Sequence, residues 1–189
     1  MDPVHFESVV PTINPPMVAS KIETPVYVIL DPVTVPDQLV TSKGDAKPIE
    51  LYEVQTFVTR DIPVMLRAFY ASVDVVESVP PAQGPHIIVD VKISKLDTFM
   101  EKAAAAGSSG GTATVYQLHG MMDWAMAFRH SGEAEYFYSF SDHVVGDYAA
   151  TTIHDTENMF RSVWETALGR FLERYAGDEV QQLARGGAA

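Results

Sequence analysis

Six histidines, His5, His86, His119, His130, His143 and His154, are the residues of this chain best suited to metal binding or proton transfer. None forms an HxH or HExxH ligand pair. Ser141-Asp142-His143 and His154-Asp155 contain residue types used in nucleophilic and metal chemistry. Strand neighbours point to opposite faces, so adjacency does not make a triad. His154-Asp155 falls where a helix begins, and an acidic residue there is favoured by the helix dipole. Glu133 and Glu135 share one side of a hairpin tip. Paired carboxylates serve glycoside hydrolysis, but on an edge hairpin they fit a solvated face that discourages edge pairing. Gly107-Ser108-Ser109-Gly110-Gly111 lacks the lysine and spacing of a phosphate-binding loop and reads as a flexible hairpin connection. No GxSxG is present, and with no cysteine there is no disulfide, thiolate ligand or cysteine nucleophile. These residues therefore give no catalytic, cofactor-binding or metal-binding assignment.

The aromatic residues are better organised. From Thr112 to Phe128 the even positions carry Tyr116, Leu118, Met122, Trp124, Met126 and Phe128. Ala134, Tyr136, Tyr138 and Phe140 continue the alternation after Ser131-Gly132. Such a stripe can stack on sugars or bases, but a following helix supplies a matching apolar face of Met159, Phe160, Val163, Trp164, Ala167, Leu168, Phe171, Leu172 and Tyr175. Mutual packing is the simpler account. The other side of the first strand carries Gln117, His119 and Asp123, and Phe137 lies opposite Tyr136 and Tyr138. These four residues are the candidate partner-contact surface, joined by the 31–48 loop.

These residues need a scaffold, and 189 residues with 47% apolar and 20% charged side chains suffice for one globular domain. The net charge of −12 argues against nucleic acid and anionic lipid as electrostatic partners. No run approaches the ~18 apolar residues of a membrane helix. The first residues lack a basic start and an apolar h-region, so the sequence as written is not an exported precursor. Residues 1–24, with Pro3, Pro11, Pro15 and Pro16, read as an extended lead that serves as a tether, though Phe6, Val9, Val10 and Ile13 offer docking groups.

Pro25–Leu30 reads as a buried strand and Asp31–Pro48 as a loop rich in proline. Val54, Phe57, Val58, Ile62, Met65, Leu66 and Phe69 have helical spacing on both sides of Pro63, which predicts a kinked helix. Val73–Val79 is a further short strand, and Ile87, Val89, Val91 and Ile93 alternate along another. A three-residue loop, His130-Ser131-Gly132, would pair Phe128 with Ala134 and Met126 with Tyr136, with Gly132 left-handed. Thr152 and Asp155 suit the start of the last helix, Gly177 its left-handed end, and 177–189 a flexible tail. The fold class is α+β: a mostly antiparallel sheet of four or five strands with two helices packed on one face, in a single domain over 25–176.

The order of "PVYVILDP", "HIIVDVKISKLD", "VYQLHGMMDWAMAFRHSGEAEYFYSFS" and "TIHDTENMFRSVWETALGRFLERY" resembles the small α+β outer-membrane lipoproteins of Gram-negative bacteria. The lipopolysaccharide-assembly lipoprotein and the YajG-like lipoproteins are of this kind. The resemblance implies a periplasmic domain at the outer membrane. It would be tethered by an N-terminal lipid, would bind a larger envelope protein, and would have no catalytic residues or cofactor. The residues shown carry neither a signal peptide nor a lipidated cysteine, which such a protein would need upstream. The leading expectation is a non-enzymatic envelope interaction domain with a protein partner. The alternatives are a cytoplasmic or virion-type structural subunit, and a hydrolase built on converging members of His119, Asp123, His143 and Glu135.

Overall fold

The computed structural model describes residues 6–43, 47–79, 81, 84–103, 115–150 and 155–186. The first strand of the sheet is β1 (Val26–Ile29), whose Val26 and Val28 are buried. Its neighbours on both sides are parallel to it: β4 (Val73–Val76) and β5 (Ile87–Ala103). β5 then pairs antiparallel with β6 (Val115–His130), and β6 with β7 (Tyr138–Ala150). The five-stranded order is β4-β1-β5-β6-β7, an α+β architecture in which helices pack against a mixed sheet.

The 31–48 segment is not a loop. It contains β2 (Gln38–Lys43) and the start of β3 (Lys47–Glu53), an antiparallel pair beside the main sheet. Its prolines do not prevent this. Pro36 precedes the pair, and Pro48 lies opposite Ser42 where the register shifts, a position that tolerates a missing donor. The Thr34 carbonyl accepts the Ile93 N–H at 2.9 Å, fastening the entry to this hairpin onto the edge of β5.

Helix α2 (Val54–Leu66) runs through Pro63 without a break. Pro63 stands in the last turn, so the lost N–H costs a single terminal bond, and its carbonyl still accepts Arg67 N–H at 3.0 Å. Along β5 the apolar phase changes from Val89, Val91 and Ile93 to Leu96, because the ladder shifts between Ile93 and Lys95. One extra residue in a strand reverses which side chains face the core.

The expected hairpin register is corrected by four residues. Phe128 pairs with Tyr138 and Met126 with Phe140, not with Ala134 and Tyr136. The shift is even, so the faces of β7 itself are as expected from Tyr138 onward, while the loop length and the placement of Ala134, Tyr136 and Phe137 before it are not. Ala134 and Tyr136 are exposed in the connection, as are Glu133 and Glu135, which therefore share no strand face. Gly132 does take a left-handed φ of 83°.

Helix α3 (Asp155–Tyr175) lies on the even face of β6 and β7. Trp124 meets Trp164 at 5.7 Å between ring centres, and Phe128 meets Tyr175 at 4.7 Å. The lead is a strap rather than a tether from residue 6 onward. It contains α1 (Val10–Ile13) and buries Phe6, Val9, Val10 and Ile22. Phe6 packs on Phe57 and Phe160, and its carbonyl accepts an Arg60 N–H. The 177–189 stretch is likewise not all flexible tail: Asp178–Ala184 forms α4, with Ala184 buried. Gly177 is its extended N-cap, with φ −63° and ψ 139°, not a left-handed C-terminal residue. The expected glycine-rich connection at 107–111 and the Thr152 cap lie outside the described residues.

Candidate interaction surface

The helices cover one side of the sheet, and its other side carries a ladder of side chains on β5, β6 and β7. Three rungs can be read directly from the register. Asp90, Ala127 and Ser139 form one, Lys92, Ala125 and Ser141 the next, and Lys95, Asp123 and His143 the third. Met121, Val145 and Asp97 follow, and then His119 and Gln117 further along β6. None of the odd residues from Gln117 to Arg129 on β6 is fully buried, whereas Met122, Trp124, Met126 and Phe128 between them are. The middle rungs carry only alanine and serine on β6 and β7, which makes a flat strip bordered by charges.

Polar contacts close both ends of that strip. At one end Arg129 lies 3.7 Å from Asp90, and the Tyr136 hydroxyl donates to the Asp90 carboxylate at 3.1 Å. The Asp90 charge holds the Tyr136 phenol above its ordinary range, since a phenolate beside a carboxylate is disfavoured. At the other end Asp123 bonds His143 Nδ1. This is a directly opposed pair, in which side chains can approach closely across two strands.

Of the four candidate contact residues, three share this open face. Gln117, His119 and Asp123 are all partly exposed on it. Phe137 does not join them. It lies in the connection before β7, half-buried against the core, with its ring 4.7 Å from that of His130 and 6.1 Å from that of Phe128. Among the potential acid–base residues, Asp123 and His143 meet, while Glu135 is exposed in the hairpin connection away from them. Ser141 shares their face, but Asp142 points to the helix side, where Arg170 reaches it at 3.3 Å. The Asp123–His143 pair can orient an imidazole. It does so on a solvated face, with His143 56% exposed.

The other histidines serve the fold. His86 is buried, and its backbone N–H donates to Ser131 Oγ at 3.1 Å. His130 Nε2 donates to the Leu183 carbonyl at 2.9 Å and so holds α4. His5 and His154 lie outside the described residues. Among those residues no group of three His, Asp or Glu side chains could hold a metal ion. An open groove of about 450 Å³ lies in the helix layer instead, lined by Ile13, Pro16, Glu165, Gly169 and Leu172.

Sequence reasoning missed most of this surface. Asp90 and Lys92 alternate with the apolar residues of β5 and mark its wet face, but Ala125, Ala127, Ser139 and Ser141 draw no notice individually. The available signal was the complement of the aromatic stripe: if even residues face α3, the odd residues between them define the second face.

No protein-family model matches the chain, and no curated protein matches it. Several solved structures do. A Xanthomonas campestris protein of the DUF330 family is 12% identical with a TM-score of 0.52, over 90% of this chain and 97% of that one. A Helicobacter pylori protein described as a homologue of the neuraminyllactose-binding hemagglutinin is 12% identical with a TM-score of 0.41, over 92% and 98%. A Caulobacter crescentus protein described as a lipoprotein is 12% identical with a TM-score of 0.36, over 79% and 92%. The small α+β fold of this chain is thus one that a bacterial DUF330 protein also adopts.

Proposed function

We propose that this chain is a non-catalytic interaction domain of the bacterial cell envelope, a mature periplasmic lipoprotein at the outer membrane that supports a larger protein assembly. The observation that carries the reading is the sheet itself: one face is sealed by helices, and the other presents a flat alanine–serine strip with charged borders. A flat strip of small side chains accepts the close approach of another protein surface, and the border charges set its register. The fold shared with a DUF330 protein supports a bacterial setting. A lipid tether would enter the domain at Phe6, because the strap from there onward is docked.

Arginine at both Ala125 and Ala127 tests this. In membranes of the producing bacterium, A125R/A127R should lower recovery of a co-purifying envelope protein by about tenfold, equivalent to ~1.4 kcal/mol. Ser162→Arg, on the exposed side of α3, should leave recovery unchanged. Equal recovery for all three proteins would remove the open face from the account.

A further inference from the structure

We propose that Asp142 and Arg170 form a clip that closes the free edge of β7 to strand addition by a second copy of this chain. β7 is an outermost strand of the sheet and is 13 residues long. A long unpaired edge is a template for another strand, and pairing of an edge with its own copy is self-complementary about a two-fold axis.

The hydrogen-bond pattern shows which residues of β7 face outward. Ile87 N–H donates to the Pro25 carbonyl and Ile93 N–H to the Thr34 carbonyl, so odd residues in this part of β5 bond away from β6. Even residues of β5 therefore bond to the odd residues opposite them on β6, and even residues of β6 bond to even residues of β7. The backbone groups of Ser139, Ser141, His143 and Val145 are left pointing out of the sheet.

At His143, in the middle of that row, both outward groups are already occupied. Asp142 Oδ1 accepts the His143 N–H at 3.0 Å. Arg170, reaching from α3, donates to the His143 carbonyl at 3.4 Å and to Asp142 Oδ2 at 3.3 Å. An incoming strand must break both contacts and displace the arginine to run past this point. The clip acts on the sheet edge, so it is independent of the partner proposed for the open face.

Sedimentation velocity across a range of concentrations reads the consequence. The wild-type chain should remain monomeric, and D142A/R170A should dimerise increasingly with concentration. Adding Ser141→Pro to that double variant should restore the monomer, because proline there removes an outward donor without removing a bond to β6. The proposal is overturned if the double variant matches the wild type, if association persists with Ser141→Pro, or if the wild type itself pairs through this edge. Amide exchange on the unsubstituted protein is a second reading. The His143 amide should exchange about tenfold more slowly than the outward Ser141 amide, and equal rates would also overturn the clip.

Discussion

Tyr70 and Tyr175 bond to each other through their hydroxyls, both fully buried where α3 ends against the segment that follows α2. Burial pushes the Tyr70 phenol up to about 12, and burial together with the neighbouring phenols raises Tyr175 well above its usual range. A phenol with a raised folded-state pKa binds its proton more tightly folded than unfolded. Its contribution to stability is complete below pH 10 and is lost as pH rises from 10 through about 12, roughly 2–3 kcal/mol for Tyr70 at ~1.4 kcal/mol per unit. Urea titrations at successive pH values should show that alkaline loss. Tyr70→Phe strands the Tyr175 hydroxyl and should cost ~1–3 kcal/mol at neutral pH, while the double phenylalanine variant should recover much of it. A buried phenol pair cannot be read from two tyrosines 105 positions apart. Asp61 leaves more of a trace in the sequence, one that the reading of its helix did not use. It interrupts the apolar helical stripe of Phe57, Val58, Ile62 and Met65, and a carboxylate on such a stripe needs partners. The fold supplies Arg60, bidentate at 2.8 Å for both bonds, and the Trp164 indole N–H at 2.8 Å. That second partner comes from α3, which the α2 segment alone does not reveal.

Between elements, the close seat of α3 depends on two glycines. Gly120 and Gly146 are directly opposed on β6 and β7. A Cβ on Gly120 would lie 2.1 Å from Met159 Sδ, and one on Gly146 would lie 2.7 Å from Val163 Cγ2. Methionine can swing its flexible end away, whereas valine has little χ1 freedom on a helix. Gly146→Ala should therefore destabilise more than Gly120→Ala, by ~1–3 kcal/mol, and Val163→Ala in the Gly146→Ala background should return part of that loss in thermal melts. The even-position stripe passes over Gly120 in silence, so periodicity finds the face but not the dent that receives the helix. The hairpin register shows the same boundary. Alternation sets side-chain parity, which a four-residue slip preserves, so Phe140 faced the core as expected. Nothing local distinguished a three-residue loop from the longer connection, which is held by Phe137 N–H to the Phe128 carbonyl and by Tyr136 to Asp90.

At the scale of the whole molecule, the parts that sequence alone made peripheral are structural. The proline-rich lead and the terminal segment both close the helix layer, and they touch each other through Arg185 and the Ser20 carbonyl at 2.9 Å. Proline content describes where helix and ladder hydrogen bonds cannot form, and it says little about whether Phe6 or Ile22 finds a cavity. With the strap from Phe6 and the helix α4 packed on the helix layer, the open sheet face is the broad surface that the described elements leave uncovered. The central claim is that a protein partner of the envelope sits on that face. Its most direct measurement is site-specific photocrosslinking in the producing bacterium, with a photoreactive residue at Ala127 and, as the comparison, at Ser162 on α3. A discrete crosslinked envelope protein is expected from position 127 and none from position 162. A product from position 162 alone, or equal products from both, would contradict it.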